Sequence, residues 1–219
     1  MTTSPTAVPR PASVLVRPAR VAEAAHVAWL AALTFPLACP PGTPVATMAA
    51  HVAAHLAPSD FRAWATSDRH ALLVAVDGEG GSAGAASDEA SPLLGYALVA
   101  FGEPDGAEEH DVLRAAAGPG PYAELSKIYV HPQVLGGGVA ARLLEGAAAA
   151  AAGLGDAAGV DAPLWLGTNG QNARAQAFYR KHGFEVAGTR TYDVGGVRHD
   201  DVVMLRDAGS PGTGSRRPG

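Results

Sequence analysis

Two spacings of apolar residues alternate along this chain, one of two residues and one of about 3.6, the periods of a strand and of a helix. Ser13 to Arg17 is a short β-rich run, and Arg20 to Thr34 places Val21, Ala24, Ala25, Ala28 and Ala32 on one helical stripe. Pro44 to Ala57 and Pro58 to Ser67 read as two more helices, each opened by a proline suited to a first turn. His70 to Val76 and Leu93 to Phe101 read as an antiparallel pair of strands with a tight turn and a long loop between them. Ala123 to Val130 is a third apolar strand, Gly137 to Ala152 an alanine-rich helix, and Pro163 to Gly167 a short buried strand. Gln171 to His182 is a helix that Gly183 stops, and Phe184 to Tyr192 and Val197 to Arg206 close as a hairpin around Gly195-Gly196. Sheet pairs early and β-α-β-α-β late predict an α/β protein, a mixed sheet with helices on both faces.

Breakers interrupt the pattern. GEGGSAGAASDEAS, ending at Ser91, and EPDGAEEHDVLRAAAGPGP, ending at Pro121, read as surface loops. Residues 1–12 carry Pro5, Pro9 and Pro11 among Thr, Ser and Ala, and residues 208–219 are rich in Gly, Ser, Pro and Arg. Both ends are expected to be disordered, because neither has apolar surface to offset the entropy of ordering. One domain over residues 13–207 is left.

Composition narrows the classes. The chain has 219 residues, 47% hydrophobic and 17% charged, enough apolar content for a core. Its formal net charge of -5 argues against a nucleic-acid or anionic-membrane surface as main partner and permits a cationic substrate. Cys39 is the one cysteine, so an internal disulfide and a cysteine-based zinc site are excluded, and no metal is expected. No uncharged apolar run approaches the roughly 18 residues that span a bilayer, and the N-terminus lacks the apolar core of a signal peptide. A soluble, cytoplasmic protein is the expectation.

The informative segment runs from Glu124 to Glu145: a strand into Pro132, a glycine-rich turn, then a helix with Val139, Leu143 and Ala147 on one side. Backbone N–H groups from Leu135 to Ala140 would converge ahead of a helix N-terminus, a place that binds phosphate. Gly136, Gly137 and Gly138 remove side chains that would block an anion. A tight turn explains three glycines equally well, and neither G-x-x-x-x-G-K-[ST] nor G-x-G-x-x-G is present. A second constellation follows the strand Leu164-Trp-Leu-Gly167: helical spacing sets Asn172, Gln176 and Tyr179 on one face, beside Ala175 and Phe178.

Together these segments resemble the GNAT superfamily of acetyl-CoA-dependent N-acetyltransferases. The family's phosphate loop, Q/R-x-x-G-x-G/A, has its equivalent in Leu135-Gly-Gly-Gly138-Val-Ala140, and its N-x-x-A-x-x-F-Y-x-x-x-G-F motif is matched at Asn172, Ala175, Phe178, Tyr179, Gly183 and Phe184. The likeness covers about Val14 to Leu205 and is greatest to PaiA-type polyamine (spermine/spermidine) acetyltransferases, through Glu124-Leu-Ser-Lys-Ile-Tyr-Val, Trp165-Leu-Gly and Val194-Gly-Gly-Val-Arg-His-Asp-Asp201. Leu135 departs from the usual Gln or Arg, which assigns the pyrophosphate to main-chain groups, with Arg142 as an extra cation.

The resemblance implies a GNAT fold, a mixed, mostly antiparallel twisted sheet flanked by helices, and direct attack of a primary amine on acetyl-CoA. It places the cosubstrate against Ile128, Tyr129, Val130, Leu135, Gly136, Gly137, Gly138, Val139, Ala140, Asn172, Phe178 and Tyr179. Glu124, on one strand face with Ser126, Ile128 and Val130, matches a position where some relatives keep a general base; a salt-bridge partner is the plain alternative. A main-chain N–H near Val130 would hold the oxyanion, and Tyr179 would protonate the departing thiolate. Asn172 would bind the pantetheine arm or cap its helix. Asp200 and Asp201 are candidates for attracting a polyamine, the expected acceptor, whereas His199-Asp200-Asp201 is no metal cluster because neighbours on a strand face opposite ways. A protein Nα or lysine amine, an aminoglycoside, or a non-catalytic CoA-binding role are the alternatives. A homodimer is expected by analogy only.

Overall fold

The computed structural model describes residues 13–39, 42–78, 92–194 and 197–207. The expected arm 1–12, the tail 208–219, the Gly/Ser-rich loop beyond Gly78 and the Gly195-Gly196 turn lie outside the described residues.

Seven strands form one mixed sheet: β1 (Val14–Pro18), β2 (His70–Asp77), β3 (Gly95–Gly102), β4 (Tyr122–Val130), β5 (Leu164–Asn169), β6 (Glu185–Val194) and β7 (Val197–Arg206). Their spatial order is β1-β2-β3-β4-β5-β7-β6. The β4/β5 pair is parallel, and β1/β2, β5/β7 and β6/β7 are antiparallel. The chain divides into two compact units, one of Met1–Ser67, Leu72–Ala97 and Lys127–Gly146, the other of Asp68–Ala71, Leu98–Ser126 and Ala147–Gly219.

In the first unit β1 pairs with β2 from Val14 opposite Asp77 to Pro18 opposite Leu73. The helix after it, α1 (Ala24–Ala38), starts later than its pattern predicts and runs a turn further. Its buried stripe is Ala24, Val27, Ala28, Leu30 and Ala31, while Ala25 and Ala32 are exposed. Larger side chains thus displaced two alanines from the inward face, because burying Val and Leu removes more apolar surface from water. Glu23, at the helix start, accepts from Arg17 at 2.8 and 2.6 Å, from the Arg20 guanidinium at 3.0 Å and from the Arg20 N–H at 2.8 Å. Burial raises the Glu23 pKa, but these donors outweigh it and hold the carboxyl at about 2. Val21–Ala38 is one stretch long and apolar enough to cross a bilayer by length and composition, a measure the sequence reading of uncharged runs passed over since Glu23 lies in it. Thirty-nine per cent of it is buried inside the protein.

Then come α2 (Val45–His55) and α3 (Pro58–Thr66), close to their predicted bounds. Asp60 on α3 accepts the Ala57 N–H at 2.9 Å, and Phe61 is fully buried against Tyr96 of β3. The alanine-rich α5 (Val139–Ala158) turns Val139, Leu143 and Leu144 inward. A Cβ on its Gly146 would stand 2.8 Å from Val16 Cγ1, so that glycine lets α5 approach β1 closely.

The second unit corrects one expectation. The stretch after Glu103, read as a surface loop, holds a helix, α4 (Ala107–Ala117). Leu113 of α4 is buried with Tyr122, Trp165 and Val203, and Val112 lies where a Cβ on Gly188 would be 2.8 Å away. Glu109 meets Arg190 at 3.0 Å, and the carboxylate of Glu108 accepts the Thr191 N–H at 2.5 Å. The helix is fixed by partners some eighty residues away, which local pattern does not show. Between β5 and β6 lies α6 (Ala173–Lys181), followed by Gly183 at φ +84, the left-handed stop expected there.

Candidate active site

The glycine turn is built in the first unit from β4 outward. The main-chain N–H of His131 donates to Leu94 O at 2.8 Å, and the His131 Nδ1 accepts the Gln133 N–H at 3.3 Å, capping a short 3-10 turn over Pro132–Val134. Burial lowers the pKa of His131, which keeps the imidazole neutral as an acceptor must be. The Leu135 N–H then donates to Pro132 O at 3.5 Å and the Gly137 N–H to Val134 O at 3.2 Å, so these two groups face back into the turn. Gly136 and Gly138 both take φ +80, and a Cβ on either would meet open space. The first turn of α5 begins here, the Arg142 N–H being the one that reaches Gly138 O, at 3.1 Å. By helix geometry the N–H groups of Val139, Ala140 and Ala141 have no carbonyl of their own helix to bind. The turn therefore offers an open cradle of backbone donors at the positive end of a twenty-residue helix. Leu135 is 55% exposed at the rim and Arg142 is exposed on the same first turn.

Upstream of the turn, Ile128, Tyr129 and Val130 at the end of β4 are half-buried. That is unusual for the middle strand of a seven-stranded sheet. In the second unit β4 pairs in parallel with β5, Ala123 opposite Leu164 and Glu124 opposite Trp165. Glu124 stands at the last pair of that ladder and is half-buried.

In the second unit, Asn172 precedes α6 and its Oδ1 accepts the Ala175 N–H at 3.0 Å, so of its two expected roles the cap is occupied. Gln176, expected on a polar stripe, turns inward: its amide donates to Gly170 O at 2.8 Å and it accepts from Arg180 at 3.1 Å. It fixes the turn between β5 and α6, a role that helical spacing alone does not reveal. The Tyr179 ring packs 5.4 Å from Phe178 and 5.7 Å from Phe184. Burial pushes its hydroxyl up to about 12, so the phenol stays protonated and can act only as a donor of its proton near neutral pH.

The two acidic candidates differ. Asp200 is exposed, and its carbonyl accepts the Gly170 N–H at 2.9 Å. Asp201 is buried, 3.8 Å from Arg190, the guanidinium that also binds Glu109. Its charge is engaged inside the second unit. The side chain of His199 lies outside the described residues.

Comparison with known proteins completes the picture. A family model described as an acetyltransferase (GNAT) domain matches residues 69–186. An uncharacterised N-acetyltransferase of Mycobacterium bovis is 36% identical over 186 residues, 84% of this chain and 97% of that protein. The PaiA N-acetyltransferase of Thermoplasma acidophilum, solved with coenzyme A, is 16% identical with TM-score 0.60, over 89% of this chain and 99% of that one. Arabidopsis thaliana NAA60, solved with acetyl-CoA, is 14% identical with TM-score 0.61, over 89% and 98%. Both structural likenesses concern the fold.

Proposed function

This chain belongs to the GNAT acetyltransferases, and from that premise we propose that it transfers acetyl from acetyl-CoA to the nitrogen of a small primary amine. The observation that carries the reading is the cradle at Gly136 and Gly138, where two left-handed glycines leave open space before a helix N-terminus. The N–H groups of Gly136, Gly138, Val139 and Ala140 hold the pyrophosphate, with Arg142 as an outer cation. Leu135 and Gly137 shape the turn through their own hydrogen bonds, and Ile128, Tyr129 and Val130 line the approach. When bound, acetyl-CoA supplies an acetyl group activated as a thioester.

Glu124 takes the proton that an ammonium must lose before its nitrogen can attack, directly or through water. A main-chain N–H near Val130 holds the negative charge that develops on the acetyl oxygen. Tyr179 returns a proton to the sulfur as the C–S bond breaks and the N–C bond forms. Phe178 supports that ring, and Asn172, its Oδ1 committed to the cap, keeps its amide N–H groups for the pantetheine arm.

A polyamine acceptor is supported by the sequence likeness to PaiA-type enzymes and by exposed Asp200. The engagement of Asp201 and Glu109 with Arg190 weakens the acidic surface such an acceptor would use. The test is thiol release from acetyl-CoA with spermidine, a peptide α-amine, an aminoglycoside and simple monoamines. Release with at least one amine is expected; none with any amine refutes acetyl transfer, and release with the peptide but not with spermidine refutes the polyamine.

A further inference from the structure

Helix α6 has nine residues, a length at which a helix by itself is marginal in water and its place is set by what it is attached to. Its buried side chain is a polar one, Gln176, 8% exposed, while Ala177 is exposed and Phe178 and Tyr179 are half-buried. A buried amide is tolerated through the hydrogen bonds it makes, and those bonds are directional where apolar packing is not. The Gln176 Nε2 donates to Gly170 O at 2.8 Å and more weakly to Asn169 O at 3.4 Å, and its Oε1 accepts from Arg180 at 3.1 Å.

The carbonyls it binds belong to the turn that leaves β5, and that turn is fixed independently. The Asn172 N–H donates to Asn169 O at 2.9 Å, the Gln171 N–H to Asn169 Oδ1 at 2.8 Å, and the Gly170 N–H to Asp200 O of β7 at 2.9 Å. A Cβ on Gly170 would stand 2.9 Å from that same Asp200 oxygen, so the turn lies directly against β7. Asn169 closes the β5/β7 ladder opposite Asp201, which lies 3.8 Å from Arg190, and Arg190 binds Glu109 of α4 at 3.0 Å. Gln176 therefore ties a short helix to a framework of two strands. Tyr179 stands three residues further on, the next side chain along the same side of α6. Its contacts with Phe178 and Phe184 are apolar and tolerate small slides and tilts, whereas a 2.8 Å bond to a fixed carbonyl does not. A misplacement of about 1 Å in a reacting group costs a rate factor of about 100.

We infer that Gln176 is a positioning residue for proton donation by Tyr179: its amide holds α6 to the Gly170 and Asn169 carbonyls and so fixes the place of the phenol. The tie stands on this geometry; its purpose rests on the acetyl-transfer reading.

Two substitutions in the whole protein test it. Gln176→Leu removes the donor, and Gln176→Glu keeps the length and the acceptor for Arg180 but puts a carboxylate where the donor was. Thiol release from acetyl-CoA is measured for each, alone and combined with Tyr179→Phe. Alone, each is expected to lower kcat about tenfold or more with KM for acetyl-CoA within about threefold of the parent. In the Tyr179→Phe background each is expected to change kcat by less than about twofold, because a residue that acts through the phenol has nothing left to position. Equal losses in the two backgrounds, or a raised KM with kcat unchanged, overturn the inference, and so does a Tyr179→Phe rate equal to the parent's. Amide hydrogen exchange gives a readout that needs no turnover: the N–H groups of residues 176–181 are expected to exchange about tenfold or more faster in Gln176→Leu than in the parent. Unchanged exchange there ends the tie. Faster exchange in a protein that releases no thiol with any amine keeps the tie and ends both acetyl transfer and the purpose assigned to Gln176.

Discussion

Replacing Tyr179 by Phe removes one oxygen and leaves the ring against Phe178 and Phe184, so the fold should survive and the chemistry should not. A positioned general acid contributes a rate factor of about 10² to 10⁴, or about 3 to 5 kcal/mol of barrier. The variant is therefore expected to lose about 100-fold or more in kcat, with KM for acetyl-CoA within about threefold of the parent. The pH dependence follows from the site. Burial holds the hydroxyl at about 12, above the ordinary tyrosine value, so the parent keeps its proton and the rate ratio should be flat from about pH 6 to pH 10. The same shift is visible in stability. A folded-state pKa raised above the unfolded one contributes stability that is present below the unfolded value, about 10, and is lost as pH rises through the folded one. The full shift corresponds to about 2 to 3 kcal/mol, and partial solvent access at this half-buried ring reduces it to about 1 to 2 kcal/mol. Urea unfolding of parent and variant, compared between pH 8 and pH 12, should show that difference opening only above about pH 10. Equal kcat for the two proteins across pH refutes proton donation by Tyr179. A rate ratio that collapses near pH 8 refutes the argument from burial.

Three more predictions concern the surrounding frame. Glu23→Gln should destabilise by about 2 kcal/mol at neutral pH, seen in urea melts, because the depressed carboxyl pKa contributes stability above the unfolded value and loses it as pH falls towards about 2, where variant and parent should converge. Gly138→Ala forces a left-handed φ on a residue with Cβ, costing about 1 to 2 kcal/mol of stability, and narrows the cradle, so KM for acetyl-CoA should rise more than kcat falls in a thiol-release assay. Asn172→Ala should cost about 1 kcal/mol through the lost cap, with thermal unfolding as the measure, and Asn172→Asp should restore most of it.

How far the sequence is legible depends on where the stabilising partner lies. The helices α2, α3 and α6 and the stop at Gly183 are governed by neighbours within a turn or two: a proline at the first position, a cap, a left-handed glycine. They fall close to their predicted bounds for that reason. The helix α4 was hidden because its polar surface and flanking glycines read as loop, while its anchors, Arg190, Thr191 and Gly188, lie in β6. The inward stripe of α1 was misassigned because alanines fit either face and only packing chooses between them.

The same division runs through the site. Sequence by itself determined the glycine turn, the helix after it, the Asn-Ala-Phe-Tyr helix and, from these, the acetyltransferase family, since such motifs are short stretches whose chemistry depends on local backbone form. Hydrogen bonds within the turns set which of the six turn N–H groups face outward and hold Gln176 to Gly170 O, whereas tertiary structure alone decided that Glu109 and Asp201 share Arg190 and that Lys127 lies over the Trp64 ring. The latter facts depend on residues far apart in the chain being packed together, where hydrogen-bond satisfaction and burial, and not spacing, set the role of a side chain.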